Sequence, residues 1–319
     1  MRTGRLVNID FALVLCTLAA TVVGVLMVYS ATEVSRDGSL GLDDFAVKQA
    51  TYGAIGFVLM IVLSRVDYRF LESFTLPFYF VVLGLLGLVG VLGVITYGSQ
   101  RWLNLGLFPI QPSELAKLAV IVMLAKVLAD HVQQRAKLKW FIVCGIVAGV
   151  PALIVFRQPD LGTAIMLGAI FLGICAGARI PGRFFATIAV LAGPGIWGFW
   201  HFVMHDYQQE RFLIFLHPES DPSGAGYNII QARITIGSGG WLGQGYMGGS
   251  QSQLGFQKVQ YSDFIFSVVA EQFGLLGSIA LIALLFIVVW RCLVVASKAP
   301  DEFGSLIAAK PSGSAGLRL

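Results

Sequence analysis

The chain has 319 residues, 56% of them apolar and 13% charged, with a formal net charge of +4 and a mean hydropathy of +0.78. A soluble domain carries about 25% charged residues and one bilayer crossing needs roughly 20 mostly apolar ones, so this composition belongs to an integral membrane protein with several crossings. It excludes a Rossmann enzyme, a disordered tail and a nucleic-acid binder. Cys16, Cys144, Cys175 and Cys292 lie in or at the end of apolar runs without a CxxC pair, which argues against a disulfide framework and a zinc site.

In chain order, the long apolar runs predict about eight spans, at 9–29, 49–63, 74–97, 113–128, 140–156, 161–178, 184–202 and 263–292. The expectation is an all-α polytopic membrane helix bundle forming a single integral membrane domain over 1–319. The first span has a short basic start but no small-residue cleavage site before the second, so it reads as an uncleaved anchor. In the third span, Gly84, Gly87, Gly90 and Gly93 keep a three-residue period, read as close helix packing. Of the 22 Lys and Arg, fourteen fall on one set of connections and seven on the other, with Lys117 inside a span. The positive-inside rule then puts the N-terminus in the cytoplasm and the long connection 204–262 outside. That connection mixes Pro, Gly, aromatic and charged residues in varied order, unlike a flexible tether. A polar tail follows from about 298 to 319.

Three stretches carry residues suited to chemistry. Gln111-Pro112-Ser113-Glu114 opens the fourth span, with Lys117 three residues beyond Glu114 and so on the same helix face. The pair is either a structural ion pair or the lining of a polar cavity, with Arg101 and Trp102 on the preceding segment. Asp160, between the fifth and sixth spans, is either a helix cap or a polar group on the outer side. In the long connection, Gly243, Gly245 and Gly248 match GxGxxG without the strand a dinucleotide site needs. His201 and His205 are four apart, but without the Glu of HExxH they read as interfacial anchors. Asp263 stands where the glycine-rich stretch meets the last span, as a cap or as a general base on a lipid-linked substrate. Glu271 follows eight residues later, about two turns, and is expected on roughly the same face.

Together these motifs resemble the SEDS family (shape, elongation, division and sporulation proteins), its elongation branch (RodA) more closely than its division branch (FtsW). The resemblance runs from the first span to about Ala308. Its most specific parts are Arg101-Trp102 to Glu114 with Lys117, Gln158 to Thr163, His217-Pro218 to Tyr227 with Gln231, Ile236 to Gly240, and Asp263-Phe264-Ile265-Phe266. It implies a peptidoglycan glycosyltransferase of the bacterial cytoplasmic membrane that polymerises lipid II on the outer face, alongside a class B penicillin-binding protein supplying the cross-links. It also implies that Asp263 is the catalytic acid residue and that Glu114 and Lys117 line the central cavity. The substrate cavity is read as Glu114, Lys117, Arg101, Trp102, Gln111, Asp160, Arg211, Arg233 and Glu271, with the arginines as candidate partners of the diphosphate. No cofactor and no metal ligand is assigned; a divalent cation (Mg or Mn) at the diphosphate is the one candidate. The family usually reads Leu-Pro-Glu before the Thr-Asp of this motif, where this chain has Gln257 to Ser262 before Asp263. Members usually have ten spans, so on the resemblance this sequence reads as a truncated member.

Two other functions compete. Intramembrane Glu114 and Lys117 also suit a flippase or transporter for a lipid-linked precursor, although no paired broken helices in two halves of the sequence support it. A non-catalytic scaffold for wall synthesis is the third. The topology is testable with single cysteines in a cysteine-free variant, labelled in intact cells by a membrane-impermeant thiol reagent. Labelling is expected within 204–262 and not within 126–139, and the reverse pattern would overturn the orientation.

Overall fold

The computed structural model describes residues 10–32, 44–92, 94–96, 99–104, 109–202, 204, 206–224, 226–254, 256, 261–299 and 301–308. The chain is predominantly helical, as the apolar runs require. Its helices are α1 (Phe11–Thr32), α2 (Phe45–Leu63), α3 (Arg69–Leu92), α4 (Pro112–Asp130), α5 (Leu138–Arg157), α6 (Leu161–Gly177), α7 (Gly182–Phe202), α8 (Asp206–Leu216), α9 (Tyr227–Ser238), α10 (Ser250–Gln253), α11 (Ile265–Ser297) and α12 (Glu302–Ile307). Between α3 and α4, the strands β1 (Val94–Thr96), β2 (Ser99–Asn104) and β3 (Pro109–Ile110) form a small antiparallel sheet in that order. About half of the expected long connection is therefore helical among its described residues, in α8, α9, α10 and a 3-10 turn at Pro218–Ser220.

Among the described residues, six helices are long and apolar enough to cross a membrane: α1, α2, α3, α5, α7 and α11. The expected eight spans are thus six by this measure. The fourth and sixth expected spans are α4 and α6, and each falls short for a physical reason. With 17 residues, α6 is about 25 Å long, less than the ~30 Å hydrocarbon core. α4 carries Glu114, Lys117, Lys126 and Asp130. It tolerates them because it packs against α3, α5, α6 and α12, so that protein rather than lipid surrounds much of it.

The chain divides into two compact units, one made of Met1–Arg65 with Pro194–Arg291 and the other of Val66–Gly193 with Cys292–Leu319. α4 is the centre of the second. Its Ala116, Ala119, Val120, Leu124 and Leu128 are buried against Val82 and Leu86 of α3, Cys144 and Val155 of α5, and Leu306 of α12. Tyr79 closes the α3–α5 contact by donating its hydroxyl to the Val147 carbonyl at 2.8 Å. The expected glycine packing on α3 is not found. Val82, Leu86 and Val89 are the buried residues, while Cβ atoms added at Gly84, Gly87 or Gly90 would meet nothing within 4 Å; Gly93 lies outside the described residues. The first unit holds a true close approach, where a Cβ on Gly53 of α2 would come within 2.8 Å of Thr21 of α1.

Aspartates start several helices by accepting otherwise unpaired first-turn amides: Asp10 from Leu13, Asp44 from Ala46, Asp160 from Thr163 and Asp301 from Gly304. Asp301 also accepts the Tyr68 hydroxyl, and burial followed by this carboxylate pushes the phenol above its ordinary range. Arg135 performs the opposite service at helix ends. It is 7% exposed and donates to the Leu128 carbonyl of α4 at 2.8 Å, to the Ala178 carbonyl closing α6 at 3.4 Å, and to Glu302 of α12 at 3.1 Å. Arg135→Met should leave those carbonyls without a donor and lower stability by roughly 2–3 kcal/mol, whereas Glu302→Gln should cost under about 1 kcal/mol because Glu302 is half-exposed. Thermal unfolding of the detergent-solubilised protein checks this, and equal losses in the two variants would contradict it.

Candidate functional site

The site is organised by a break in α11. At Gly274 the backbone takes φ 65° and ψ −162°, a region open only to glycine, and the helix divides into 265–273 and 275–297. The second segment, 23 residues and about 35 Å, is long enough to cross a bilayer alone. The first is a short helix in front of it, and Asp263 stands in the turn ahead of that short helix.

The break strands backbone groups, and the glycine-rich segment after α9 takes them up. The Leu275 and Leu276 amides donate to the Gly240 and Trp241 carbonyls at 2.9 and 3.2 Å, and the Glu271 and Gln272 carbonyls accept from the Gln244 and Gly245 amides at 2.9 and 3.0 Å. Gly243, at φ 79°, lies so close to α11 that a Cβ there would overlap the Gln272 carbonyl. The GxGxxG run is therefore a docking loop for a broken helix. Side chains complete the joint. Glu271 is fully buried; its two carboxylate oxygens accept the Gln251 amide at 2.7 Å and the Ser252 amide at 3.0 Å, with the Ser238 hydroxyl at 3.4 Å. Gln272, also buried, donates to Ser30 of α1 at 2.6 Å. Tyr246 reaches the Leu26 carbonyl of the same helix at 3.1 Å.

Asp263 contrasts with all of this. It is exposed, and among the described residues no hydrogen bond or ion pair engages its carboxylate. No first-turn amide of α11 donates to it, so it is not a cap. Two residues earlier Tyr261 stacks on Phe45 of α2, ring centroids 4.3 Å apart, which pins the turn that carries it. The two-turn spacing predicted that Glu271 shares the face of Asp263; instead the turn before α11 separates them, and Asp263 is open while Glu271 is enclosed. Beside the break lies an apolar cleft of about 400 Å³, lined by Ile236, Trp241, Phe266, Ala270, Ile279 and Ile282. Phe266, three residues after Asp263, is the lining residue nearest to it in sequence. A second cavity of about 620 Å³ between α8 and the following turn presents Asp206, Glu210 and Asp221, a wall that disfavours a diphosphate.

Arg211, Arg233, Asp263 and Glu271 belong to the first compact unit, and Arg101, Trp102, Gln111, Glu114, Lys117 and Asp160 to the second. Arg233, on α9, pairs with Glu219 at 3.1 Å, both side chains exposed. The side chains of Arg101, Trp102 and Arg211 lie outside the described residues; their backbones are in β2 and α8. Gln111 precedes α4 without capping it by its side chain. Lys117 and Glu114 do pair, at 2.8 Å, on the first turns of α4. Asp160 caps α6, accepting the Thr163 amide at 3.1 Å and its hydroxyl at 2.9 Å. Next to it Gln158 donates to the Leu86 carbonyl at 2.8 Å. His201 contacts the Trp197 carbonyl of its own helix, and His205 lies outside the described residues. Among the described residues no three His, Cys, Asp or Glu converge as metal ligands. They do not offer a ready ligand set for a divalent ion, so no catalytic step is assigned to one.

Sequence reasoning missed the joint between 240–253 and α11. The signal was present as glycine density at 237–249 and as Gly274 in an apolar run, but the pairing partner of each was not visible. For the α4 pair, a double-mutant cycle is informative: Glu114→Ala, Lys117→Ala and the double change should show a coupling of about 0.5–1 kcal/mol in thermal unfolding. Strict additivity would argue against a direct pair.

Against known proteins, the chain matches the family model FTSW_RODA_SPOVE, described as Cell cycle protein, over residues 11–312. It is 38% identical over 302 residues to the peptidoglycan glycosyltransferase MrdB of Escherichia coli (strain K12), covering 95% of this chain and 80% of that protein. It is 35% identical over 316 residues to the stage V sporulation protein E of Bacillus subtilis (strain 168), covering 94% and 82%. Among solved structures, a chain from a study of polymerization and crosslinking by a peptidoglycan synthase complex superposes with a TM-score of 0.78 at 27% identity, covering 95% of this chain and 82% of that one. The rod shape determining protein RodA of Thermus thermophilus shares the fold, with a TM-score of 0.65 at 23% identity over 95% of this chain and 80% of that one. With the match extending over nearly its whole length, the chain belongs to the FtsW, RodA and SpoVE family of multi-pass membrane proteins.

Proposed function

We propose that this protein is a peptidoglycan glycosyltransferase that polymerises lipid II into glycan strands during cell-wall elongation and shape maintenance. The observation that carries the reading is the 38% identity, over 95% of the chain, to a protein named for that activity. The geometry agrees with it: Asp263, exposed and without a hydrogen bond or ion pair among the described residues, stands in the turn ahead of α11, and the apolar cleft includes Phe266 three residues on.

The chemistry asks little more of the chain. The anomeric carbon of the donor carries a polyprenyl diphosphate, which departs with the bonding electron pair without needing a strong general acid. The acceptor sugar hydroxyl attacks that carbon, and Asp263, in its charged form, takes the hydroxyl proton. Exposed, and free of caps and ion pairs among the described residues, the carboxylate is available for this. The apolar cleft suits the lipid carrier, and Arg101, Arg211 and Arg233 are the cations proposed for the diphosphate. Glu114, Lys117, Trp102, Gln111 and Asp160 are proposed to line the polar cavity. On this reading the protein lies in the bacterial cytoplasmic membrane with its N-terminus inside and 204–262 outside. The synthase complex among its structural relatives couples polymerization to crosslinking, which supports a class B penicillin-binding protein as partner.

The test is purified protein with labelled lipid II in detergent, read for glycan chains on a gel. Wild type should give a ladder, and a flippase or a scaffold would give none. Asp263→Asn should fold and insert normally yet lose on the order of 10²- to 10⁴-fold of the rate. Asp160→Asn should retain most of it, because Asn also caps a helix. A dead Asp160→Asn with an active Asp263→Asn would move the base to Asp160.

A further inference from the structure

We infer that Glu271 is a positioning residue, which clamps the 239–253 loop into the break of α11 and thereby sets where Asp263 stands. The inference rests on the proposed role of Asp263 and deepens it. Glu271 is fully buried with both oxygens occupied by loop groups, so it has no free edge for substrate. Its position in the short segment 265–273 matters more. That segment is severed from the membrane-crossing part of α11 at Gly274, so continuous helical hydrogen bonding does not carry rigidity from the span to Asp263. Lateral attachments supply it instead.

Three attachments are visible. The backbone pairs of Gln244 and Gly245 with Glu271 and Gln272 hold the far end of the segment. The Tyr261–Phe45 stack holds the near end. Between the loop's own second half and the segment, the contact is the Glu271 carboxylate: Gln251 and Ser252 open α10, and their amides have no earlier turn of that helix to bond to. One side chain therefore satisfies the start of α10 and ties it to the element that precedes the span. Gly249 shows how tight the clamp is, since a Cβ there would overlap the Glu271 carboxylate. Replacing Glu271 by Gln keeps one acceptor oxygen but turns an amide donor toward the other loop amide, so one of the two bonds is lost. The loop and the short segment then separate, and a general base displaced by about 1 Å loses up to ~10²-fold in rate.

The experiment compares wild type, Glu271→Gln, Gly249→Ala and Asp263→Asn in steady-state polymerisation of labelled lipid II, with amide hydrogen exchange and thermal melting on the same preparations. Expected for Glu271→Gln and Gly249→Ala is a fall in kcat of about 10- to 10²-fold, with KM changed less than about twofold. Faster exchange at the Gln251 and Ser252 amides should accompany it. A raised KM at unchanged kcat would make Glu271 a substrate contact and overturn the inference. So would an unchanged kcat in a variant whose loop exchange has accelerated. If Glu271→Gln does not fold, Gly249→Ala, which leaves the carboxylate in place and only displaces it, decides by the same criteria. Full activity in Asp263→Asn is a separate failure, because it removes the reading on which the positioning role rests while the exchange result stands.

Discussion

A helix broken inside a membrane protein leaves backbone amides and carbonyls without partners, and each such group costs several kcal/mol where water cannot reach it. The break at Gly274 is tolerated because Gly240, Trp241, Gln244 and Gly245 return two acceptors and two donors to it. This mutual satisfaction explains the composition of the loop. Backbone can reach backbone only where side chains do not intervene, and Gly243 is the position where a Cβ would block the approach. It also explains the course of the chain, since the loop must return alongside the very helix that follows it.

Fixing the loop has consequences for polar groups at depth. Glu271 and Gln272 are both fully enclosed within an otherwise apolar helix, a placement that is costly unless donors and acceptors are matched. The loop amides match the carboxylate, and Ser30 accepts from the carboxamide nitrogen, while Gln272 Oε1 has no partner among the described residues. In the other compact unit the same principle works with different parts. There Arg135 neutralises the ends of α4 and α6 and meets Glu302, and Lys126 donates to the Glu72 carbonyl at 2.8 Å.

Against this background the open carboxylate of Asp263 is the exception that suits the role of base proposed for it. A base must hold its charge, reach its substrate and stay in place, and these demands conflict when the same group also caps a helix or pairs with a cation. Here helix capping falls to other acids, Asp10, Asp44 and Asp160, and ion pairing to Arg233 with Glu219. Positioning comes from neighbours in sequence, Tyr261 and Glu271, which bind the turn and the short helix from either side. The division leaves Asp263 held yet, among the described residues, without a partner for its carboxylate.

The membrane class, the order of the helices and the motif residues could be read directly, because long apolar runs, caps and charge asymmetry are local properties of a chain. Asp160 shows this: an acid ahead of an apolar run, three residues before a Thr, can be recognised as a cap without any structure. The same local reading misplaced the glycine period of α3, whose members face away from Val82 and Leu86. It also counted α4 among the spans and singled out Glu114 and Lys117 in it, but only the burial of α4 among α3, α5, α6 and α12 explains how four charges sit there. Above all it treated α11 as continuous and Glu271 as a second acid on the face of Asp263. A helix break is decided by whether distant backbone arrives to satisfy it, and that information lies in the partner segment some thirty residues away rather than in the run itself.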